Sequence, residues 1–149
     1  MTKIVLADNL EYLKTLPDGY VSLIYIDPPF NTQKIQKRNL VKATLSESGL
    51  VGFGGNKYAR EIVGEYGSYN DTFDNYILFI KERIVEAHRI LKPNGSIYLH
   101  IDYREAHYVK IMMDEIFGRD NFINEIIWSY EWGAKSKTKW SSKHDTILF

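Results

Sequence analysis

The chain of 149 residues is 44% hydrophobic and 26% charged, which is typical of one globular domain. It has no cysteine, which excludes disulfides and thiolate metal sites, and its 4 scattered histidines lack metal-ligand spacing, so we predict no metal. The sequence contains no signal peptide and no membrane-spanning apolar run, which predicts a cytoplasmic protein. Because 19 basic residues balance 19 acidic ones, any contact with nucleic acid depends on local patches.

The first predicted elements are a short strand at residues 4–6 and a helix that follows it. Asp8 stands where an N-cap belongs, and Glu11 follows three residues later as in a capping box. The helix directs leucines toward the core and ends at residues 17–19, which are Pro-Asp-Gly. The apolar run 21–26 then has the length and β-branching of a buried parallel strand.

The segment at about 31–71 shows little sustained periodicity. A structureless segment of this length is typical of a functional lid or a mobile insertion. Its basic side chains are candidates for contacts with DNA phosphates, although each one taken singly is better explained as part of a solvated loop. The candidates are Lys34, Lys37 and Arg38, with Lys42 nearby.

Helical spacing returns at residues 71–91, where apolar side chains recur every three or four positions and Asp71 or Thr72 provides the cap. A second central strand follows at residues 96–101 and ends at Asp102, as the first strand ends at Asp27. Asp102 is therefore a candidate site residue, and the alternative is that it caps the next helix.

The third helix runs to Phe117 and stops at Gly118, with the two adjacent methionines as core packing. Further strands are predicted at residues 122–128 and 146–149. This alternation of strands and helices predicts an α/β fold with a parallel sheet and helices on both faces. Ligands of such sheets bind beyond the carboxyl ends of the strands, where the three aspartates at positions 8, 27 and 102 lie.

A basic and aromatic loop at about 130–143 is the second candidate contact region. Cationic side chains interleaved with aromatic ones suit the binding of a nucleic-acid strand or stacking on its bases. The alternative is an exposed loop whose tryptophans pack back onto the domain. The candidates are Lys135, Lys137, Lys139 and Trp140, with Trp132 and Lys143 nearby.

The tetrad Asp27-Pro28-Pro29-Phe30 comes directly after the first central strand. Its two prolines cannot continue the strand and form a rigid elbow that carries a carboxylate, backbone carbonyls and an aromatic ring. An exocyclic amine on a nucleobase is a poor nucleophile because its lone pair is delocalised into the ring. Acceptors at Asp27 and Pro28 would localise that lone pair, and Phe30 would stack on a base flipped out of its helix. The alternative is a strand terminator with an N-capping Asp27.

This tetrad resembles the catalytic (D/N/S)PP(Y/F/W) motif of amino-methyltransferases that modify adenine N6 or cytosine N4 in DNA. Asn31-Thr32 continues it as in the permuted β class and in type III modification subunits. The resemblance extends in family order over most of the chain. It includes Tyr69-Asn70-Asp71, the segments 91–98, 100–104, 114–118 and 124–128, and Lys143-His144-Asp145-Thr146.

The resemblance implies a partial Rossmann-like methyltransferase fold, S-adenosylmethionine as cofactor and DNA as partner, in the setting of restriction and modification. It implies that Asp27, Pro28, Pro29 and Phe30 form the catalytic motif. Asp8 and Asn9, with Asp27, would contact the cofactor, although Asp8 is equally well explained as a helix cap. Asp27 favours adenine N6, because cytosine-N4 relatives more often have SPP. Cytosine N4, RNA or protein-glutamine methylation and a non-catalytic DNA-binding module remain open as functions.

Family members carry a glycine-rich cofactor loop of the type FxGxG that this sequence does not contain. The resemblance therefore implies that the chain is truncated or that a complementing chain supplies the loop. Strands that lack their neighbours leave an apolar sheet edge unpaired, and such an edge favours self-association. We accordingly predict a homo-oligomer or a complex with the complementing chain.

Overall fold

The computed structural model describes residues 2–52, 54–131 and 137–149. They form two compact units, one of Met1–Asn31 with Phe73–Phe149 and the other of Thr32–Thr72. In chain order the elements are α1 (Asn9–Lys14), β1 (Val21–Ile26), β2 (Lys34–Val51), β3 (Lys57–Asp71), α2 (Tyr76–Ile90), β4 (Leu91–Asp102), α3 (Ala106–Phe117), a 3₁₀ turn (Arg119–Asn121), β5 (Glu125–Ser129) and β6 (His144–Leu148).

The larger unit is built on a four-stranded sheet in the order β1-β4-β6-β5. β1 and β4 are parallel, with Ile24 opposite Ile97 and Ile26 opposite Leu99, whereas β6 is antiparallel to both of its neighbours. The prediction of an α/β fold is confirmed, but the prediction of a parallel sheet is wrong, because the sheet is mixed. The loop between β5 and β6 carries no crossover helix within its described residues, and neighbouring strands joined without a crossover pair antiparallel.

The core lies on one face of this sheet. Alternate residues of β4 point to it, and Ile97, Leu99 and Ile101 are at most 7% exposed. Both α2 and α3 pack there, through side chains that include Ile84 and Val109, and α1 lies beside α2. The opposite face exposes Leu23, Tyr25, Ile126 and Trp128. The prediction of helices on both faces is therefore wrong for the described residues, because their three helices share the face that carries Ile97, Leu99 and Ile101.

α3 matches its prediction. It begins at Ala106, ends at Phe117 and is followed by Gly118 at a φ of 85°, a backbone conformation that glycine adopts without strain. Met112 and Met113 are buried in the core, as predicted.

Three local predictions are wrong. Residues 4–6 form no strand, because no described strand lies beside them to pair their backbone groups. α2 begins only at Tyr76 and its N-cap is Asn75, whose side chain accepts from the backbone N–H of Leu78, because Asp71 already belongs to β3. Asp102 does not cap α3. It accepts hydrogen bonds from the backbone and guanidinium of Arg104, and the N-cap is Glu105.

The smaller unit is a long antiparallel ribbon of β2 and β3, so the prediction of an irregular segment is wrong. Most side chains are exposed on both faces of the ribbon, and the sequence therefore needs no alternation of polar and apolar residues. Its base is closed by buried Asp71, whose carboxylate accepts from the backbone N–H and the hydroxyl of Thr32 at 3.0 and 2.6 Å.

Candidate active site

The elbow that follows β1 places the Asp27 carboxylate at the carboxyl end of a parallel strand. Ile24 and Ile26 of that strand pack against the core, and the side chain of Asp27 is 60% exposed. Pro28 and Pro29 lack backbone N–H groups, so the elbow presents carbonyl oxygens without competing donors of its own. A carboxylate and carbonyls at this position form a cluster of hydrogen-bond acceptors.

Two hydrogen bonds hold the elbow to neighbouring elements of the same unit. The hydroxyl of Tyr76, a residue only 4% exposed, donates to the carbonyl of Pro29 at 2.6 Å. The side-chain amide of Asn31 donates to Glu105 at 2.8 Å. Asn31 has a φ of 55°, a left-handed conformation that asparagine tolerates better than most residues. Hydrogen bonds thus hold the chain on both sides of Phe30, and the Pro29 carbonyl already accepts one from Tyr76.

His100 of β4 lies beside the elbow. Its Nδ1 is 3.6 Å from Oδ1 of Asp27, which is an ion-pair distance rather than a hydrogen bond, and 3.3 Å from the hydroxyl of Tyr25. Its Nε2 is 3.3 Å from Oδ2 of Asp145 on β6. The ring of Phe30 meets the imidazole edge to face at 5.4 Å between centroids. His100 therefore connects the elbow to a second carboxylate.

Asp145 is also the partner of Tyr130, just after β5. Burial, the hydrogen bond to Asp145 and the negative charges of Asp145 and Asp102 raise the pKa of Tyr130 to about 12. The phenol therefore keeps its proton at neutral pH. Asp145 consequently accepts from Tyr130 while facing His100, and these three side chains form a polar network behind the elbow.

A cavity of about 550 Å³ opens on the other side of β1, between α1 and α2. Its polar lining comes from Asp8, Asn9, Asp27 and Arg83, Pro28 and Pro29 also border it, and much of the rest is lined by apolar side chains of α1, β1 and α2. The structure therefore brings the predicted cofactor residues and the predicted catalytic elbow to one cavity. Carboxylate and carbonyl acceptors beside an apolar wall suit a ligand with an aromatic base, hydroxyl groups and a positive charge.

Asp8 performs the capping role that its position predicts. Its Oδ1 accepts from the backbone N–H of Leu10 at 2.9 Å and more weakly from that of Glu11. Arg83 of α2 donates to Oδ2 of Asp8 at 3.0 Å and to Asn9 at 2.8 Å. Desolvation alone would raise the pKa of Asp8, but these backbone donors and the charge of Arg83 outweigh it and hold that pKa below its ordinary value.

The predicted DNA-contact residues fall into separate groups. Lys34 and Arg38 lie four positions apart on one face of β2, whereas Lys37 lies on the other face and pairs with Glu65 at 3.2 Å. In the larger unit, Trp140 is 96% exposed and the adjacent basic residues are exposed as well, namely Lys137 and Lys139. Lys135 and Trp132 lie outside the described residues.

His100, Asp145, Tyr76 and Arg83 were not predicted as site residues. His100 had a usable signal, because it lies two positions before the end of a strand whose carboxyl end borders the site. Tyr76 and Arg83 had none, since their sequence pattern is that of an ordinary amphipathic helix. Across residues 2–52, 54–131 and 137–149, no three His, Cys, Asp or Glu side chains are grouped to hold a metal ion, and no helix is long and apolar enough to cross a membrane.

The elbow and the acidic N-cap thus lie on one cavity of a mixed α/β unit. A family model described as DNA methylase, N6_N4_Mtase, matches residues 21–149. The chain therefore belongs to the N6/N4 DNA methylase family.

Curated relatives agree with this assignment. The chain is 31% identical over 133 residues to the type III restriction-modification enzyme EcoP15I Mod subunit of Escherichia coli, covering 84% of this chain and 20% of that protein. It is 33% identical over 153 residues to the type II methyltransferase M.KpnI of Klebsiella pneumoniae, covering 99% and 31%. It is 30% identical over 148 residues to the StyLTI Mod subunit of Salmonella typhimurium, covering 94% and 21%. The chain thus spans about a fifth to a third of the length of these relatives.

Proposed function

We propose that this chain is the catalytic portion of an S-adenosylmethionine-dependent DNA methyltransferase that modifies the exocyclic amine of a flipped base, with adenine N6 as the target. The observation that carries the proposal is the acceptor cluster of the elbow on the same cavity as Asp8 and Asn9. Family membership and the relatives' names support it. We also propose that the sheet of the larger unit is part of a Rossmann-like methyltransferase fold.

The elbow would orient the amine. The Asp27 carboxylate and the Pro28 carbonyl accept its two hydrogens, which localises the nitrogen lone pair and aims it toward the cavity. Phe30 supplies an aromatic ring for stacking on the base. Its own orientation is set by the hydrogen bonds of Tyr76 and Asn31 on either side of it. The protein therefore contributes orientation and electrostatics rather than a covalent intermediate.

The cofactor would lie in the 550 Å³ cavity, with Asp8 and Asn9 at its adenosyl end. S-adenosylmethionine supplies an electrophilic methyl carbon bound to a positively charged sulfur. With the cofactor bound there, methyl transfer would join this carbon to the amine nitrogen, leave the electron pair of the broken carbon–sulfur bond on sulfur, and require the amine to lose one proton. The carboxylate of Asp27 is placed to receive that proton and, being largely exposed, to release it to solvent.

The test is transfer of labelled methyl groups to unmethylated DNA, followed by analysis of the nucleosides. We expect label in N6-methyldeoxyadenosine, and we expect Asp27→Ala to abolish it. Titration calorimetry with S-adenosylmethionine separates binding from chemistry: because Asp27 also lines the proposed cofactor cavity, a loss of label in Asp27→Ala that exceeds the loss of affinity assigns Asp27 to the chemical step. Label that survives Asp27→Ala would refute the elbow as the catalytic motif, and label only in cytosine would replace the adenine assignment. Parallel assays with RNA and with protein substrates show whether either is methylated in place of DNA.

We also propose that the larger unit self-associates or binds a complementing chain through the edge of its sheet. β1 is an outer strand, and it exposes Leu23 and Tyr25 on the face without helices. Analytical ultracentrifugation is expected to show a dimer or larger species that Leu23→Lys weakens. A wild-type chain that sediments as a monomer at every concentration would contradict self-association.

A further inference from the structure

The β2–β3 ribbon presents a row of cations on one face. Side chains of a strand alternate between its faces, so Lys34, Arg38 and Lys42 point to the same side of β2. All three are exposed. Neighbours in this row are four residues apart, which is roughly 13 Å along a strand, and the row is about 27 Å long. Its length suits a polyanion rather than a small ligand.

The residues of β3 that pair with this row leave most of its positive charge without an opposite charge. Arg38 is paired in register with Gly67, and the space where a side chain of Gly67 would begin is open within 4 Å. Lys34 is opposite Asp71, but that carboxylate is buried and accepts two hydrogen bonds from Thr32. In the described part of the ribbon, only Lys42 of this row has an exposed acidic residue in register, Glu61.

The other face of the ribbon differs in character. Lys37 is neutralised there by Glu65 at 3.2 Å, and the same face carries exposed aliphatic side chains such as Ile35, Val41 and Ile62. Tyr69 lies on the cationic face, opposite Gln36, and is 55% exposed. The cationic face therefore carries Tyr69 and Leu40 beside its three cations, whereas on the other face Glu65 neutralises Lys37 and Arg60 is a further cation.

We propose that the ribbon binds the sugar–phosphate backbone of duplex DNA through the cationic face, defined by Lys34, Arg38, Lys42 and Tyr69. This proposal rests on the proposed function, in which DNA is the substrate. A two-stranded ribbon has the dimensions that the major groove admits, about 12 Å wide. Duplex DNA carries one negative charge for about every 1.7 Å of its axis, so a linear row of cations meets phosphates along its whole length. This local charge provides the attraction that a net charge of zero denies to the chain as a whole.

The experiment compares two double variants that lose the same charge from opposite faces. Arg38→Gln with Lys42→Gln removes two cations from the cationic face. Lys37→Gln with Arg60→Gln removes two cations from the other face. Arg60 is paired with Ala43 and therefore lies on the same face of the ribbon as Lys37. Binding of a labelled DNA duplex is measured by fluorescence anisotropy over a range of salt concentrations, and far-ultraviolet circular dichroism checks that each variant is folded.

We expect the first double variant to reduce the slope of log affinity against log salt by about 1.8, since each phosphate contact contributes roughly 0.9. The second double variant is expected to leave the slope within about 0.5 of wild type. An equal reduction in both variants, or none in the first, would overturn the proposal. If the slope is unaffected while DNA is still methylated, the ribbon proposal fails and the proposed function stands. If the wild-type chain neither binds nor methylates DNA, both fail.

Discussion

His100 places one imidazole nitrogen 3.6 Å from the carboxylate of Asp27 and the other 3.3 Å from that of Asp145. Asp27 directly follows β1 and Asp145 belongs to β6, and β4 lies between those two strands in the sheet. Asp145 contacts the imidazole from one side, and the imidazole lies beside the Asp27 carboxylate on the other. We therefore infer that His100 is a positioning residue for the proposed catalytic carboxylate.

We predict that His100→Ala lowers kcat for DNA methylation by about tenfold to a hundredfold, because a displacement of about 1 Å costs rates of this order. The affinity for S-adenosylmethionine should change little, since His100 does not line the proposed cofactor cavity. Steady-state kinetics give kcat and KM, and calorimetry gives the cofactor affinity. His107→Ala is the matched control, because His107 is exposed on α3. Partial rescue of His100→Ala by added imidazole would distinguish positioning from general loss of structure, and an unchanged kcat would contradict the role.

This relationship was beyond sequence analysis for a physical reason. The contact between His100 and Asp27 depends on the register of β1 against β4, which pairs Ile26 with Leu99. The alternating apolar pattern identifies both strands, yet it does not state which residues lie side by side. Similarly, the contact with Asp145 depends on the insertion of β6 between β4 and β5, which no local pattern encodes.

Helices and strands that bury apolar side chains on one face were predictable from the sequence, whereas strands exposed on both faces were not. α3 was found with its end because Ala106, Val109 and Met113 recur at helical spacing and Gly118 follows. The end of β4 at Asp102 was found from its apolar run. The ribbon was missed because both of its faces contact solvent, and hydrophobic periodicity marks only elements that bury one face.

Tyr76→Phe tests the hydrogen bond that pins the elbow. The phenylalanine ring preserves packing against Phe73 and Phe79 but leaves the part-buried carbonyl of Pro29 without its donor. We expect the free energy of unfolding to fall by about 1–3 kcal/mol, the cost of an unsatisfied buried acceptor. We also expect kcat for methyl transfer to fall, because the elbow gains freedom. Denaturant titration measures the first effect, and Tyr108→Phe at an exposed position of α3 is the control. Equal stability of the two variants would show that this bond contributes nothing.

Arg83→Met tests how the proposed cofactor site around Asp8 and Asn9 is organised. The methionine removes the guanidinium, and with it the donors to Asp8 and Asn9, the donor to the Phe79 carbonyl and the cation over the Phe79 ring. The pKa of Asp8 should rise toward its ordinary value, because the charge of Arg83 is one of the causes that lower it. We expect the affinity for S-adenosylmethionine to fall about tenfold, as for loss of one positioned charge-assisted hydrogen bond.

Carboxyl NMR titration of Asp8 and calorimetry measure these two effects. Because the folded pKa of Asp8 is depressed, the stability it contributes is present above the unfolded pKa and is lost as the pH falls through the folded pKa. Arg89→Met is the matched control, since Arg89 also lies on α2 and donates to the carbonyls of Leu13 and Leu16 without contacting Asp8. A rise in the pKa of Asp8 in both variants would indicate a general loosening of α1 instead.

Tyr130 predicts a change at alkaline pH. Burial, its hydrogen bond to Asp145 and nearby negative charge raise the pKa from 10.0 to about 12, so the folded chain holds a proton that the unfolded chain releases earlier. Its contribution to stability is therefore complete below pH 10 and is lost as the pH rises toward 12. Ultraviolet titration of tyrosinate absorbance should show one late-ionising group that Tyr130→Phe removes. Asp145→Asn should lower that pKa, because it replaces a charged acceptor with a neutral amide. A late group that persists in Tyr130→Phe would place the perturbed tyrosine elsewhere and would argue against the network of Tyr130, Asp145 and His100.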